Sequence, residues 1–150
     1  MNTTISQATK NDIDFMLEMD KLNFEDYIIS LDGVFDEQKW RKHLDDDLPR
    51  AFVIKIGDQN IGYFRYSVIK EDSEEYAYLR VIAIAPNQQG HGYGTNLYQF
   101  FEAHVSDLNI KTIKLSCPLS SKAHSWYPKL GYHLTEEKEL AKCFEKQINQ

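Results

Sequence analysis

The chain has 150 residues, is 42% apolar with nine tyrosines, eight phenylalanines and two tryptophans, and carries a formal net charge of −6. That length holds one ordinary domain, and the apolar and aromatic content excludes a disordered chain. The acidic balance argues against nucleic acid or an anionic membrane as the main partner and favours a cationic or neutral small substrate. The stretch Met1–Lys10 is polar and no apolar run approaches the ~18 residues of a membrane span, so a soluble, cytoplasmic protein is expected. Cys117 and Cys143 show no metal spacing and no disulfide framework. They are expected as free thiols, and no metal site is expected.

In chain order, Thr3–Gln7 predicts a short strand, and Thr9 an N-cap for a helix through Ile13, Met16, Leu17 and Leu22. Residues 24–35 read as irregular and aromatic. Asp36 opens a second helix, with Trp40 and Leu44 four apart on one face. After Pro49 the period changes to two. Residues 51–56 and 61–69 predict a hairpin about Gly57-Asp58-Gln59-Asn60, with 76–84 as a third antiparallel strand. Leu97, Phe101, His104 and Val105 restore helical spacing up to 107–109. Residues 112–117 predict a strand, 122–130 a short helix stopped by Gly131, and 132–134 a further strand. The tail, 140–148, is ambiguous between helix and a closing strand. A homodimer through that exposed edge is compatible with the pattern without being indicated by it. Meander first, then strand-helix-strand-helix-strand, predicts a single α+β (mixed α/β) domain over 1–150.

Three of the seven glycines, Gly90, Gly92 and Gly94, stand at alternate positions between the apolar run 81–84 and the next helix. Such a turn permits positive φ and brings backbone amides close to a ligand, and amides at a helix N-terminus suit an anion. A Walker A loop requires a lysine after its last glycine, where this chain has Thr95-Asn96. A dinucleotide fingerprint requires G-x-G-x-x-G after a doubly wound pattern, which is absent. A nucleotide-phosphate binder using the turn alone stays open on the residues.

The segment Gln89-Gly90-His91-Gly92-Tyr93-Gly94, preceded by Ala85-Pro86, resembles the Q/R-x-x-G-x-G/A signature of the GCN5-related N-acetyltransferases (GNAT). The order of elements over nearly the whole chain is similar too. Residues 120–134 resemble the family's second motif, with Ala123, Trp126, Tyr127, Lys129, Gly131 and Tyr132 at matching positions and Ser120 where asparagine is frequent. The resemblance implies a GNAT-like fold, a central mostly antiparallel mixed sheet with helices on both faces. It implies transfer of the acetyl group of acetyl-CoA to a primary amine of a small molecule or protein, by direct attack through a tetrahedral intermediate. It places the pyrophosphate at Gln89, Gly90, His91, Gly92, Tyr93, Gly94 and Thr95. The pantetheine falls to backbone groups of Ile82, Ala83 and Ile84 and to the Ser120 hydroxyl, shorter than an amide.

The resemblance also implies roles in the chemistry. Tyr127 is the expected general acid for the leaving thiolate. The glutamate that relatives use as base falls on Tyr78, which leaves Glu75, or Glu74, acting from farther up the strand, or loss of the proton to solvent. An acyl-enzyme on Cys117 is the less favoured route, since no histidine partner is placed beside it. The acceptor is expected against Phe24, Tyr27, Tyr78 and Arg80, where acidic and aromatic groups suit an ammonium and Arg80 suits a carboxylate. Tyr78 in place of glutamate keeps a rival open: a non-catalytic acyl-CoA-binding module of the same fold.

Overall fold

The computed structural model describes residues 2–148. Among them seven strands hydrogen-bond in the order β1-β2-β3-β4-β5-β7-β6. The residues divide into two compact units, the chain up to Tyr66 with Val81–Phe101, and Ser67–Arg80 with the chain from Glu102. The chain passes from one to the other within β3 (Gln59–Glu71), β4 (Glu74–Ile84) and α3 (Tyr93–Asp107).

In the first unit β1 (Thr3–Gln7) is antiparallel to β2 (Ala51–Ile56), which is antiparallel to β3. The alternation of β2 and β3 sorts side chains to two faces. Ala51, Val53 and Tyr63 join Met16, Leu17, Met19 and Leu44 of α1 (Ile13–Asp32) and α2 (Glu37–Asp47) in one buried cluster. On the other face Phe52 and Phe64 meet Phe100 and Phe101 of α3, with ring centroids 5.0 to 5.3 Å apart. Helices therefore cover both faces of these strands. Each large apolar side chain so buried contributes about 1.5–3 kcal/mol relative to exposure.

α1 enters through a capping arrangement. The Thr9 N–H donates to Asp12 Oδ2 at 2.8 Å at the head of a 3-10 turn, Lys10–Asp12, and the amide of Asn60 donates to Asp12 Oδ1 at 3.0 Å. The 3-10 turn precedes the α-helix, so Thr9 caps the turn rather than α1 itself. At the other end α1 runs on to Asp32, through the segment expected to be irregular. No glycine or proline interrupts residues 13–32. Gly33, at φ 79°, closes the helix by donating its N–H to Ile29 O at 2.8 Å. The expectation failed because Leu22, Ile29 and Leu31 face solvent and blur the helical stripe.

A buried polar network ties this unit together. The Asp20 carboxylate, wholly buried on α1, accepts from Trp40 Nε1 (2.8 Å), from the Tyr63 hydroxyl and from Arg65 Nη2 (3.3 Å). Arg65 in turn donates to Asp47 Oδ2 at 2.8 Å, and Asp47 also accepts from Arg50 at 2.9 Å. Burial is the largest influence on the Asp20 carboxyl and pushes it above the ordinary value, against Arg65 and the hydrogen bonds of Tyr63 and Trp40.

In the second unit β4 and β5 (Thr112–Pro118) are parallel over Ala77–Leu79 against Ile113–Leu115. β7 (Ala141–Gln147) is antiparallel to β5 along its whole length, and β6 (His133–Glu137) is antiparallel to β7 at the edge. The ambiguous tail is thus a strand, decided by a complete ladder to β5 that local pattern does not contain. The helix expected over 122–130 is two 3-10 turns, Lys122–Ser125 and Tyr127–Leu130. Pro128 lacks the N–H that a continuous α-helix requires there. Among the described residues no helix is long and apolar enough to cross a membrane.

Gly62 permits a close approach of backbone in the first unit. A Cβ there would stand 2.6 Å from the Ala83 carbonyl oxygen and 2.6 Å from Ile84 Cδ1. Gly62→Ala is therefore expected to destabilise the fold by about 1–3 kcal/mol through overpacking, measured as a lower urea midpoint with an unchanged slope. Asp20→Asn leaves the Arg65 charge short of its buried partner and is expected to cost about 3–5 kcal/mol. Adding Arg65→Met should recover part of that loss, which a double-mutant cycle will measure.

Candidate active site

The apolar run 81–84 ends in a 3-10 turn, Pro86–Gln88, and α3 begins at Tyr93. Gly90 and Gly92 take φ 86° and 83°, while Gly94 lies inside the first turn of α3 without positive φ. Only two of the three glycines are therefore used for backbone conformation. Nothing lies within 4 Å of where a Cβ would stand on Gly90 or Gly92, so the outer side of the turn is open. The Asn96 N–H returns to Gly92 O at 3.1 Å, which leaves the amides of the first helical turn directed outward.

Gln89 does something the sequence did not disclose. Its side-chain amide donates to the Ile84 carbonyl at 3.0 Å, pinning the end of β4 to the turn. That carbonyl, expected to be free for the pantetheine, is engaged. Ile82 and Ala83 are half-buried and Ile84 buried, and the Ala85 N–H bonds Ile61 O at 2.8 Å. His91 and Thr95 are exposed, with the His91 and Tyr93 rings 5.7 Å apart. A cradle with two glycines at positive φ, open space outside it and a helix start behind it fits a pyrophosphate.

In the second unit Tyr127 is buried, its ring 5.6 Å from Tyr132 and 6.0 Å from Phe144. Burial, and then the neighbouring Cys117 and Tyr132, push its phenol far above the ordinary tyrosine value. Cys117 is buried as well, and burial raises its thiol, so the residue is a poor nucleophile. Ser120 is exposed. The hydroxyl that shapes this turn is that of its neighbour Ser121, which accepts from the Ala123 N–H at 3.1 Å.

Tyr78 and Arg80 share a face of β4. The Arg80 guanidinium lies 4.5 Å over the Tyr78 ring and its Nε donates to Ser67 Oγ at 3.1 Å. The Tyr78 phenol is raised chiefly by burial, against the Arg80 charge, with Cys143, Ser116 and Lys138 as lesser influences. Strand alternation puts Glu75 on the opposite face, exposed and 3.3 Å from Lys70. Glu74 shares the Tyr78 face but is held by Lys114 at 2.8 Å. Both glutamates expected as candidates for the base are thus ion-paired. Sequence reading missed Ser67, Ser116 and Lys138, which β3, β5 and the β6–β7 turn bring to this face.

The two remaining acceptor candidates lie on α1. Phe24 packs against the first unit's core cluster, and Tyr27 is half-buried. An open groove of about 430 Å³ beside them is lined by Leu17, Glu18, Lys21, Leu22, Glu25 and Glu37, and includes neither ring. Among the described residues no group of three metal-binding side chains forms.

The model of the acetyltransferase (GNAT) family matches residues 14–132 of the chain. The chain belongs to that family. Its fold is similar to a PaiA N-acetyltransferase from Thermoplasma acidophilum in complex with coenzyme A, at 16% identity over 99% of this chain and 100% of that one, with a TM-score of 0.77. It is also similar to the ribosomal-protein-S18-alanine N-acetyltransferase of Escherichia coli (16% identity, 99% and 96% covered, TM-score 0.75). A third likeness is to Arabidopsis thaliana Naa50 with the bisubstrate analogue CoA-Ac-MVNAL (14% identity, 97% and 99% covered, TM-score 0.74). No curated protein sequence matches the chain. At these identities the solved structures show the GNAT fold alone.

Proposed function

We propose that this GNAT protein is an N-acetyltransferase that moves the acetyl group of acetyl-CoA to a primary amine. The open turn with Gly90 and Gly92 at positive φ ahead of α3 carries the reading, and family membership supports it. In this reading Gln89 fixes the turn and the amides of 90–95 take the pyrophosphate. Backbone groups of Ile82 and Ala83 hold the pantetheine arm. Coenzyme A is the acyl carrier and supplies the thioester.

An N–C bond forms as the C–S bond breaks; the amine loses a proton and the thiolate gains one. Tyr127 keeps its proton throughout the working pH range because burial disfavours the phenolate. The same burial makes the phenol a weaker acid, so donation from it requires a thiolate raised by desolvation as well, as the Cys117 thiol is. The amine proton leaves to solvent, since Glu75 and Glu74 are both paired away from the task.

Calorimetric titration with acetyl-CoA tests the cradle. The native chain should bind in the micromolar range, and Gly92→Glu should lose binding by at least about tenfold, because its φ suits glycine and its charge opposes phosphate. Tyr127→Phe should keep acetyl-CoA affinity while kcat falls about tenfold or more. With Tyr127 as the acid, kcat should show no alkaline fall-off assignable to it up to roughly pH 10. Unchanged kcat in Tyr127→Phe removes that assignment and leaves the cradle untouched.

A further inference from the structure

The chain has 23 acidic residues against 17 lysines and arginines, so carboxylates compete for every cation. Three of the four arginines are accordingly paired: Arg41 with Asp14 and Glu37, Arg50 with Asp47, and Arg65 with Asp20 and Asp47. Arg80 is the exception, and among the described residues no carboxylate pairs with it. It is nevertheless held in place. Its plane rests on the Tyr78 ring at 4.5 Å and its Nε is occupied by Ser67, so the outer edge with both terminal nitrogens remains for a ligand. That edge matches a carboxylate in two parallel hydrogen bonds, which a lysine cannot offer.

The acids on the strands beside Tyr78 are already paired. The acids on the same face of β4 and β7, Glu74 and Glu145, are both taken by Lys114, at 2.8 and 3.7 Å. Lys138, in the β6–β7 turn, adds a second cation near the Tyr78 phenol without a carboxylate partner among the described residues. Of the acids beside Lys138, Glu136 and Glu137 belong to the edge strand β6, Glu137 pairing with Lys142 at 3.7 Å, and Glu139 follows Lys138 in the turn. Ser67, Ser116 and the Tyr78 hydroxyl supply neutral hydrogen-bonding groups.

We infer that Arg80, stacked on Tyr78 and braced by Ser67, is the carboxylate-recognition residue of the acceptor site, and that the acceptor is a small amine bearing a carboxylate, of the amino-acid class. This rests on the acetyltransferase reading above and narrows its acceptor. The same cations favour the neutral amine over the ammonium, since a like charge nearby disfavours the protonated form. They thereby compensate for the carboxylate base that Tyr78 replaces.

The test uses the full chain, saturating acetyl-CoA and a panel of L-amino acids, each beside its C-terminal carboxamide, with thiol release as the readout. Free carboxylates should exceed their amides in kcat/KM by at least tenfold. Arg80→Gln should erase that preference by raising KM for the carboxylate at least tenfold more than KM for the amide, and Arg80→Lys should restore only part of it. Preference for the amide, or a preference that survives Arg80→Gln, overturns the inference. Acetyl-CoA binding without transfer to any panel member overturns it too, yet leaves the broader acetyltransferase reading standing for a protein acceptor. Loss of acetyl-CoA binding in the native chain defeats the broader reading instead. For that case, NMR titration of the same pairs reads carboxylate recognition directly. Carboxylate-dependent binding lost in Arg80→Gln supports the assignment, and equal or absent binding overturns it.

Discussion

The first unit depends on one buried carboxylate. Asp20 stands at the meeting point of α1, α2 and β3, and its two oxygens collect an indole N–H, a phenol and a guanidinium. An unpaired carboxylate at that depth would cost several kcal/mol, so the three elements are stable together only in the arrangement that supplies all three donors. Apolar packing among Met16, Leu17, Met19 and Leu44 contributes the larger free energy, but such contacts tolerate sliding. The network around Asp20 gives α1 and α2 a fixed station on the sheet, and Asp47 extends it to Arg50 and the entry of β2.

A second constraint acts at the opposite side of the same strands. Gly62 lets the Ala83 carbonyl and Ile84 approach β3 more closely than any side chain would allow, and Gln89 then clamps Ile84 to the turn that follows. Strand end, turn and helix start are thereby fixed relative to each other before any ligand arrives. An anion site made of backbone amides requires that preorganisation, because amides free to reorient would lose entropy on binding.

Chemistry in the second unit is arranged by burial and by charge. Tyr127 and Cys117 share an apolar setting that keeps both protonated. On the face of Tyr78 the acids Glu74 and Glu145 are paired with Lys114, while Arg80 has no carboxylate partner among the described residues. On this face of β4 a tyrosine lies under an arginine, so the one arginine without a carboxylate partner among the described residues is fixed by a ring instead.

Much of this was legible in the residues. The strands over 3–7, 51–56 and 112–117 follow from period-two alternation, and the glycine turn ahead of α3 from Gly90-His91-Gly92 before a helical pattern, because these signals are local. The continuation of α1 through 24–32 was hidden, since solvent-facing Leu22, Ile29 and Leu31 break its stripe, although the missing glycines and prolines and the stop at Gly33 were there to be read. The closing strand and the partners of Gln89, Asp20 and Arg80 were decided by tertiary structure alone. A hydrogen bond such as that from Trp40 to Asp20 joins residues twenty apart, and the salt bridge from Asp20 to Arg65 joins residues forty-five apart. Sequence determined the motifs and the local elements, whose causes lie within a few residues. Which charges are paired and which are not depends on what the fold brings alongside them, and only the folded chain decides that.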